Sequence, residues 1–180
     1  LFAVGGVAGL GYMIKQTIDA ADEINKLSDR LGVSTEAMSQ LKHVAKLGGV
    51  QFSTLTMGMQ RMTRRVAEAG IGMGEARGAL QELGLSAKDL SKLAPEDQFE
   101  AIAEEISKVG SQSDKVRLAM KLFDSEGVSL VQTMTHGAEG IRRMRKEADR
   151  LGITLSQSMA NSAADAKDAM ATLSALSLIH

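Results

Sequence analysis

The sequence predicts an all-α chain: several short to medium amphipathic helices joined by turns built from a Gly stop and a Ser/Thr cap, giving a hinged helical bundle with a longer C-terminal helix. Three observations predict it. Apolar residues recur three or four positions apart through most of the 180 residues, and no period-two run lasts long enough for a strand. The apolar set is Leu, Ile, Val, Met and Ala, with 11 Met against 3% aromatics and a single Pro, which suits adaptable helix-on-helix packing. One stretch is also spelled three times: Asp29-Arg30-Leu31-Gly32-Val33-Ser34, Asp149-Arg150-Leu151-Gly152-Ile153-Thr154 and, more loosely, Gln81-Glu82-Leu83-Gly84-Leu85-Ser86.

Each copy reads as a joint between two helices. A helix runs into Leu, the Gly takes the left-handed conformation without a Cβ clash, and the next apolar residue folds back on the last turn. The Ser or Thr that follows is a preferred N-cap. Asp89 three residues after Ser86 and Gln157 three after Thr154 add reciprocal partners, the second pair having the spelling of a capping box.

Residues 1–14 form an apolar, Gly-rich opening segment with no charge before Lys15. It is shorter than the about 20 apolar residues that span a bilayer and lacks the basic start of a signal peptide. A buried or inter-subunit helix end is expected, with the tail of a membrane-active helix as the other reading. Because the chain starts at Leu1, it is expected to be a piece of a longer protein.

Residues 15–153 form the main helical region. Ile14, Ile18, Ala21, Ile24, Leu27 and Leu31 mark one amphipathic helix, and Ala37, Met38, Leu41, Val44 and Ala45 a shorter one stopped by Gly48-Gly49. Phe52, Leu55, Met59, Met62, Val66 and Ala69 make the most regular stripe, with Ser53 as its cap and Arg61, Arg64 and Arg65 on its outer face. The Gly70 to Gly74 run breaks it, and Ala76, Ala79, Leu80 and Leu83 lead to the second joint. Pro95, Glu96 and Asp97 start a helix by fixed φ and by acidic charge near the positive end of its dipole, with Phe99, Ile102, Ala103, Ile106 and Val109 buried. Ser113 opens the next helix, Gly127 and Gly137 bracket another, and Ile141, Met144, Ala148 and Leu151 enter the third joint. Residues 154–180 then begin a longer helix striped by Leu155, Met159, Ala163, Ala166, Met170 and Leu173, expected to continue further.

Little in the chain points to chemistry. With no Cys there is no disulfide, thiolate metal site or Cys nucleophile, and a formal net charge of −1 gives no global field for nucleic acid. His43, His136 and His180 lack any metal-motif partner; His43 reads as structural, and His136 as facing a helix C-terminus. The Gly70-x-Gly-x-Gly-x-x-x-Gly78 run follows a helix and precedes no Gly-Lys-Ser/Thr, so it reads as a hinge and not a phosphate cradle. Glu96, Asp97, Glu100, Glu104 and Glu105 read as a solvated acidic face. Arg142, Arg143, Arg145, Lys146 and Arg150, interleaved with Glu139, Glu147 and Asp149, read as a salt-bridged exposed face. No catalytic, cofactor-binding or metal-ligating residue, no cofactor and no specific nucleic-acid binding are expected.

The run Ala21-Asp22-Glu23-Ile24-Asn25-Lys26-Leu27-Ser28-Asp29-Arg30-Leu31-Gly32-Val33-Ser34-Thr35-Glu36 resembles the repeating signature of phage and prophage tail tape measure proteins. So do Ala45-Lys46-Leu47-Gly48-Gly49-Val50 before a long helix, and Ala119-Met120-Lys121-Leu122-Phe123 leading through Gly127 to Glu147-Ala148-Asp149-Arg150-Leu151-Gly152-Ile153. Where the family often places Gly after Phe123, this chain has Asp124. The likeness covers about Ile18 to Ala175 and lies in the order of the motifs. It implies a structural protein of the virion tail, made in the host cytoplasm, that sets tail length during assembly and occupies the tail tube until genome delivery. Its implied partners are itself, through helix–helix contacts, the tail tube protein and tail assembly chaperones. A membrane-active segment that contacts the bacterial envelope is the alternative. A straight helix of this length would reach about 270 Å; the joints forbid one rod, so a hinged helical region next to the ruler is expected.

Overall fold

The computed structural model of the protein describes the backbone of residues 4–177 and the side-chain surroundings of residues 15–172. Its described residues form α-helices and no strand: α1 (Val4–Leu31), α2 (Thr35–Leu47), α3 (Phe52–Gly70), α4 (Ala76–Glu82), α5 (Ala87–Leu90), α6 (Pro95–Lys108), α7 (Gln112–Phe123), α8 (Glu126–Met134), α9 (Gly137–Arg150) and α10 (Gln157–Ser177). The all-α class read from the sequence holds. Leu173 of the final stripe and His180 lie outside the residues whose side chains are described, as does the whole opening segment; its backbone from Val4 onward is continuous with α1.

The most regular stripe becomes the central helix. α3 buries Leu55, Met59, Met62, Val66 and Ala69 and packs against helices from α1 to α8. Around it, Phe99 of α6 and Phe123 of α7 meet edge to face with ring centroids 5.9 Å apart, both buried, beside Ile102, Ile106, Leu118 and Leu122.

The glycine stop forms at all three joints. Gly32, Gly84 and Gly152 have φ of +66°, +72° and +67°. The amide of the next residue donates to a carbonyl five residues back, Val33 to Ser28 at 3.1 Å, Leu85 to Leu80 at 2.8 Å and Ile153 to Ala148 at 3.1 Å. The same bond appears at Val50 to Ala45 and Met73 to Glu68, both 2.9 Å, around the left-handed Gly49 and Gly72. The Gly48-Gly49 stop and the Gly70 hinge are thus further copies of the joint in other spellings.

The helix starts are more varied. Ser34 Oγ accepts from the Ala37 amide at 3.1 Å and Ser86 Oγ from the Asp89 amide at 3.3 Å, as expected. The capping box at Thr154 does not form. Thr154 donates its hydroxyl to Asp149, Gln157 bonds to other helices, and Ser156 Oγ accepts from the Met159 amide at 3.3 Å to start α10. Ser53 lies inside α3, which begins at Phe52 without a side-chain cap. α7 is capped by Ser111, whose Oγ accepts from the Asp114 amide at 3.3 Å, so Ser113 is already helical.

The first and third joints lie side by side. α1 packs antiparallel to α10 and α2 antiparallel to α9, so the two near-identical hairpins pass each other with their bends in register. The α7–α8 turn contains Asp124. Asp124 stands there at φ 59°, ψ −144°, the only non-Gly residue with positive φ among the described residues. Three residues on, a Cβ at Gly127 would lie 2.4 Å from the Ala119 carbonyl oxygen, so α7 and α8 can approach this closely only over a glycine.

Candidate functional site

The acidic group and the basic run, read separately as solvated faces, meet. α6 turns Phe99, Ile102, Ala103 and Ile106 inward, and Glu100 lies at the edge of that stripe with a side chain only 3% exposed. A carboxylate can be buried only if its charge and its lone pairs are met. Arg142 Nε donates to Glu100 Oε2 at 2.7 Å and Arg145 Nη1 to Oε1 at 2.5 Å. Arg145 Nε also donates to Gln40 Oε1 at 2.9 Å, and Gln40 Nε2 to Asp149 Oδ1 at 2.7 Å. The Thr154 hydroxyl then holds Asp149, so one polar chain joins α6, α9, α2 and the third joint. The Thr154 hydroxyl and, after it, the Gln40 amide hold the Asp149 carboxyl below the usual carboxylate range.

Glu104 completes the seam. Its Oε2 accepts the Ala138 amide at 3.0 Å, the cap that the neighbouring His136 side chain does not supply to α9. That amide, ahead of Lys108, keeps the Glu104 carboxyl below its ordinary range. The expected exposed basic face is therefore divided. Arg142 and Arg145 reach across to α6 and not to Glu139, Glu147 or Asp149, while Arg143, Lys146 and Arg150 have no ion pair among the described residues. The sequence signal for this was position: Glu100 follows Phe99 and precedes Ala103 by three, on the flank of an apolar stripe.

On the outer face of α3 Arg64 is exposed as expected, whereas Arg61 and Arg65 join a second seam. Arg65 has a side chain only 12% exposed and donates to the carbonyls of Met120 and Lys121 at 3.2 and 2.6 Å, closing the C-terminus of α7. Arg61 pairs with Glu126 at 2.5 Å, and both arginines stand 3.3 Å from Asp124. These bonds hold Asp124 in its left-handed backbone.

The groove along the first seam is about 290 Å³ and is lined by Gln40, Asp97, Glu100, Arg142, Arg145, Lys146 and Asp149. Three cationic side chains face three anionic ones in this lining. It fastens helices together, and no nucleophile is placed against a base in it. Among the described residues no group of His, Asp and Glu is placed to hold a metal. His43 is half-buried on α2 with a buried Nε2 that has no hydrogen-bond partner. In the Gly70 to Gly78 run, Gly72 and Gly74 are left-handed, Ile71 and Met73 project into solvent, and Arg77 donates to the Gly72 carbonyl.

Apolar surface collects at the third joint, where Leu151, Ile153 and Met159 are all more than half exposed. α10 is turned relative to its apolar stripe. Its one buried residue among those described is Ala160, while Met159 faces out. No helix of the described residues is long and apolar enough to cross a membrane. Comparison with protein-family models, with curated proteins and with solved structures finds no match to this chain.

Proposed function

We propose that this chain is a folded helical region of a phage or prophage tail tape measure protein, a structural component of the virion tail that acts through helix–helix contacts with itself, the tail tube protein and tail assembly chaperones. The order of the Asp-Arg-Leu-Gly joints along the chain carries the reading. The two seams support it: Glu100 with Arg142 and Arg145, and Arg61 with Glu126, span helices and fasten them. The uncovered Leu151, Ile153 and Met159 are the side chains most open to a further helix.

In this reading the region is a body attached to the ruler and contributes little to its length. An in-frame deletion of residues 15–153 in the virion that encodes the chain tests it. Tails should keep their length, whereas a straight ruler would lose roughly 200 Å at about 1.5 Å per residue. Purified tails that lack the chain altogether by mass spectrometry would sink the assignment.

A further inference from the structure

We infer that α10 is a strap, held on α1 and α2 by a polar latch in place of a core, and that it lifts off as a unit while the body from α2 to α9 stays folded. Along α10 the residues that share the inward face are Ala160, Ala163, Ala164 and Lys167, and only Ala160 is buried. By contrast α9, of the same hairpin, buries Ile141 in the main core and buries Ala148 as well. Small side chains remove little apolar surface from water, so the apolar contact made by the described residues of α10 is weak.

Polar attachments are seen at two points among the described residues. At one, Lys167 Nζ lies 2.7 Å from Asp22 Oδ2 and 3.2 Å from Asp19 Oδ1, with Lys26 sharing Asp22 at 2.8 Å. At the other, the Gln157 amide donates to Glu36 Oε1 at 2.9 Å, its side-chain oxygen accepts from Thr35, and its Nε2 donates to Asn25 Oδ1 at 2.9 Å. Undocking returns Asp22, now 6% exposed, and Lys167 to water, and their hydration offsets much of the lost pairing. The hinge is at Ser156, because the Leu155 amide is still fixed by Ser39 Oγ at 2.9 Å. A segment with few buried apolar contacts and charge-based attachment opens at lower free energy than the core.

Hydrogen–deuterium exchange on the full chain, read by mass spectrometry, tests this. Amides of 160–172 should exchange faster than those of α3 and α6, and faster again at high salt, which screens the Lys167 pairs. Lys167→Met, which keeps the stem and removes the charge, should raise α10 exchange about five- to tenfold and leave α3 and α6 unchanged. Gln157→Ala should act in the same direction, and the outward Met159→Ser should have no effect. The strap is wrong if α10 exchanges at the rate of α3 and α6, if neither salt nor Lys167→Met alters it, or if Lys167→Met melts the whole body.

Discussion

The joints at Gly32 and Gly152 are nearly the same six residues and, as backbone, nearly the same object. Their φ angles are +66° and +67°, and each closes with a 3.1 Å bond from the apolar residue after Gly to the carbonyl five residues back. Their side chains have opposite fates. Leu31 and Val33 are 8% and 5% exposed and belong to the main core; Leu151 and Ile153 are 55% and 51% exposed. The acidic and hydroxyl positions diverge as well. Ser34 caps its helix, while Thr154 is drawn away to Asp149, which is itself held by Gln40 of α2. The spelling therefore specifies the bend, and neighbours distant in sequence decide what the bend buries.

That contrast can be broken in graded steps, each followed by urea unfolding. The largest effect is expected from a charge. Val33→Asp should destabilise by about 3 kcal/mol or more, because it strands a carboxylate in the core, whereas Ile153→Asp should stay within about 0.5 kcal/mol. Leu31→Ala should cost about 2 to 3 kcal/mol through the cavity it leaves, and Leu151→Ala again about 0.5 kcal/mol or less. If the two members of either pair cost the same, the difference in burial is not real.

Gly32→Ala and Gly152→Ala should, in contrast, cost alike, about 1 to 2 kcal/mol each. Nothing lies within 4 Å of the added Cβ at either site, so only the left-handed backbone is penalised. Unequal costs would show that the bends are not the same object.

The smallest step concerns the hydroxyls. Ser34→Ala should cost about 1 kcal/mol at any pH as a lost N-cap. Thr154→Ala should act through acid. The Asp149 carboxyl is held below its ordinary value of 3.8, so its contribution is present above that value and lost as pH falls through the lowered one. Removing the Thr154 hydroxyl raises the folded value and shrinks the loss of stability between neutral pH and about pH 3. An acid dependence unchanged in Thr154→Ala would remove Thr154 from the Asp149 network.

The helices and the three spelled joints were legible because both are local codes: a 3.6-residue apolar period, and a Gly followed by a residue that folds back. The joints at Gly49 and Gly72 are not legible as the same motif because their flanking residues share no spelling with Asp-Arg-Leu-Gly. What could not be read locally was pairing across helices. Glu100 finds Arg142 and Arg145 more than 40 residues away, Arg65 finds the Met120 and Lys121 carbonyls, and Glu104 caps a helix 34 residues on. Each involves a charged side chain that looks solvated on its own helix and finds its partner only when the second helix arrives. Asp124 shows the same rule from the other side. Its local conformation favours glycine, and Arg61 and Arg65 of α3 stabilise an aspartate there instead.

Small-angle X-ray scattering of the chain tests most directly the claim that the glycine joints fold it back on itself. A domain of this length, turned at each joint, has a radius of gyration near about 16 Å, somewhat larger with the α1/α10 pair extended. A value approaching about 80 Å, that of a straight helix about 270 Å long, would contradict the account.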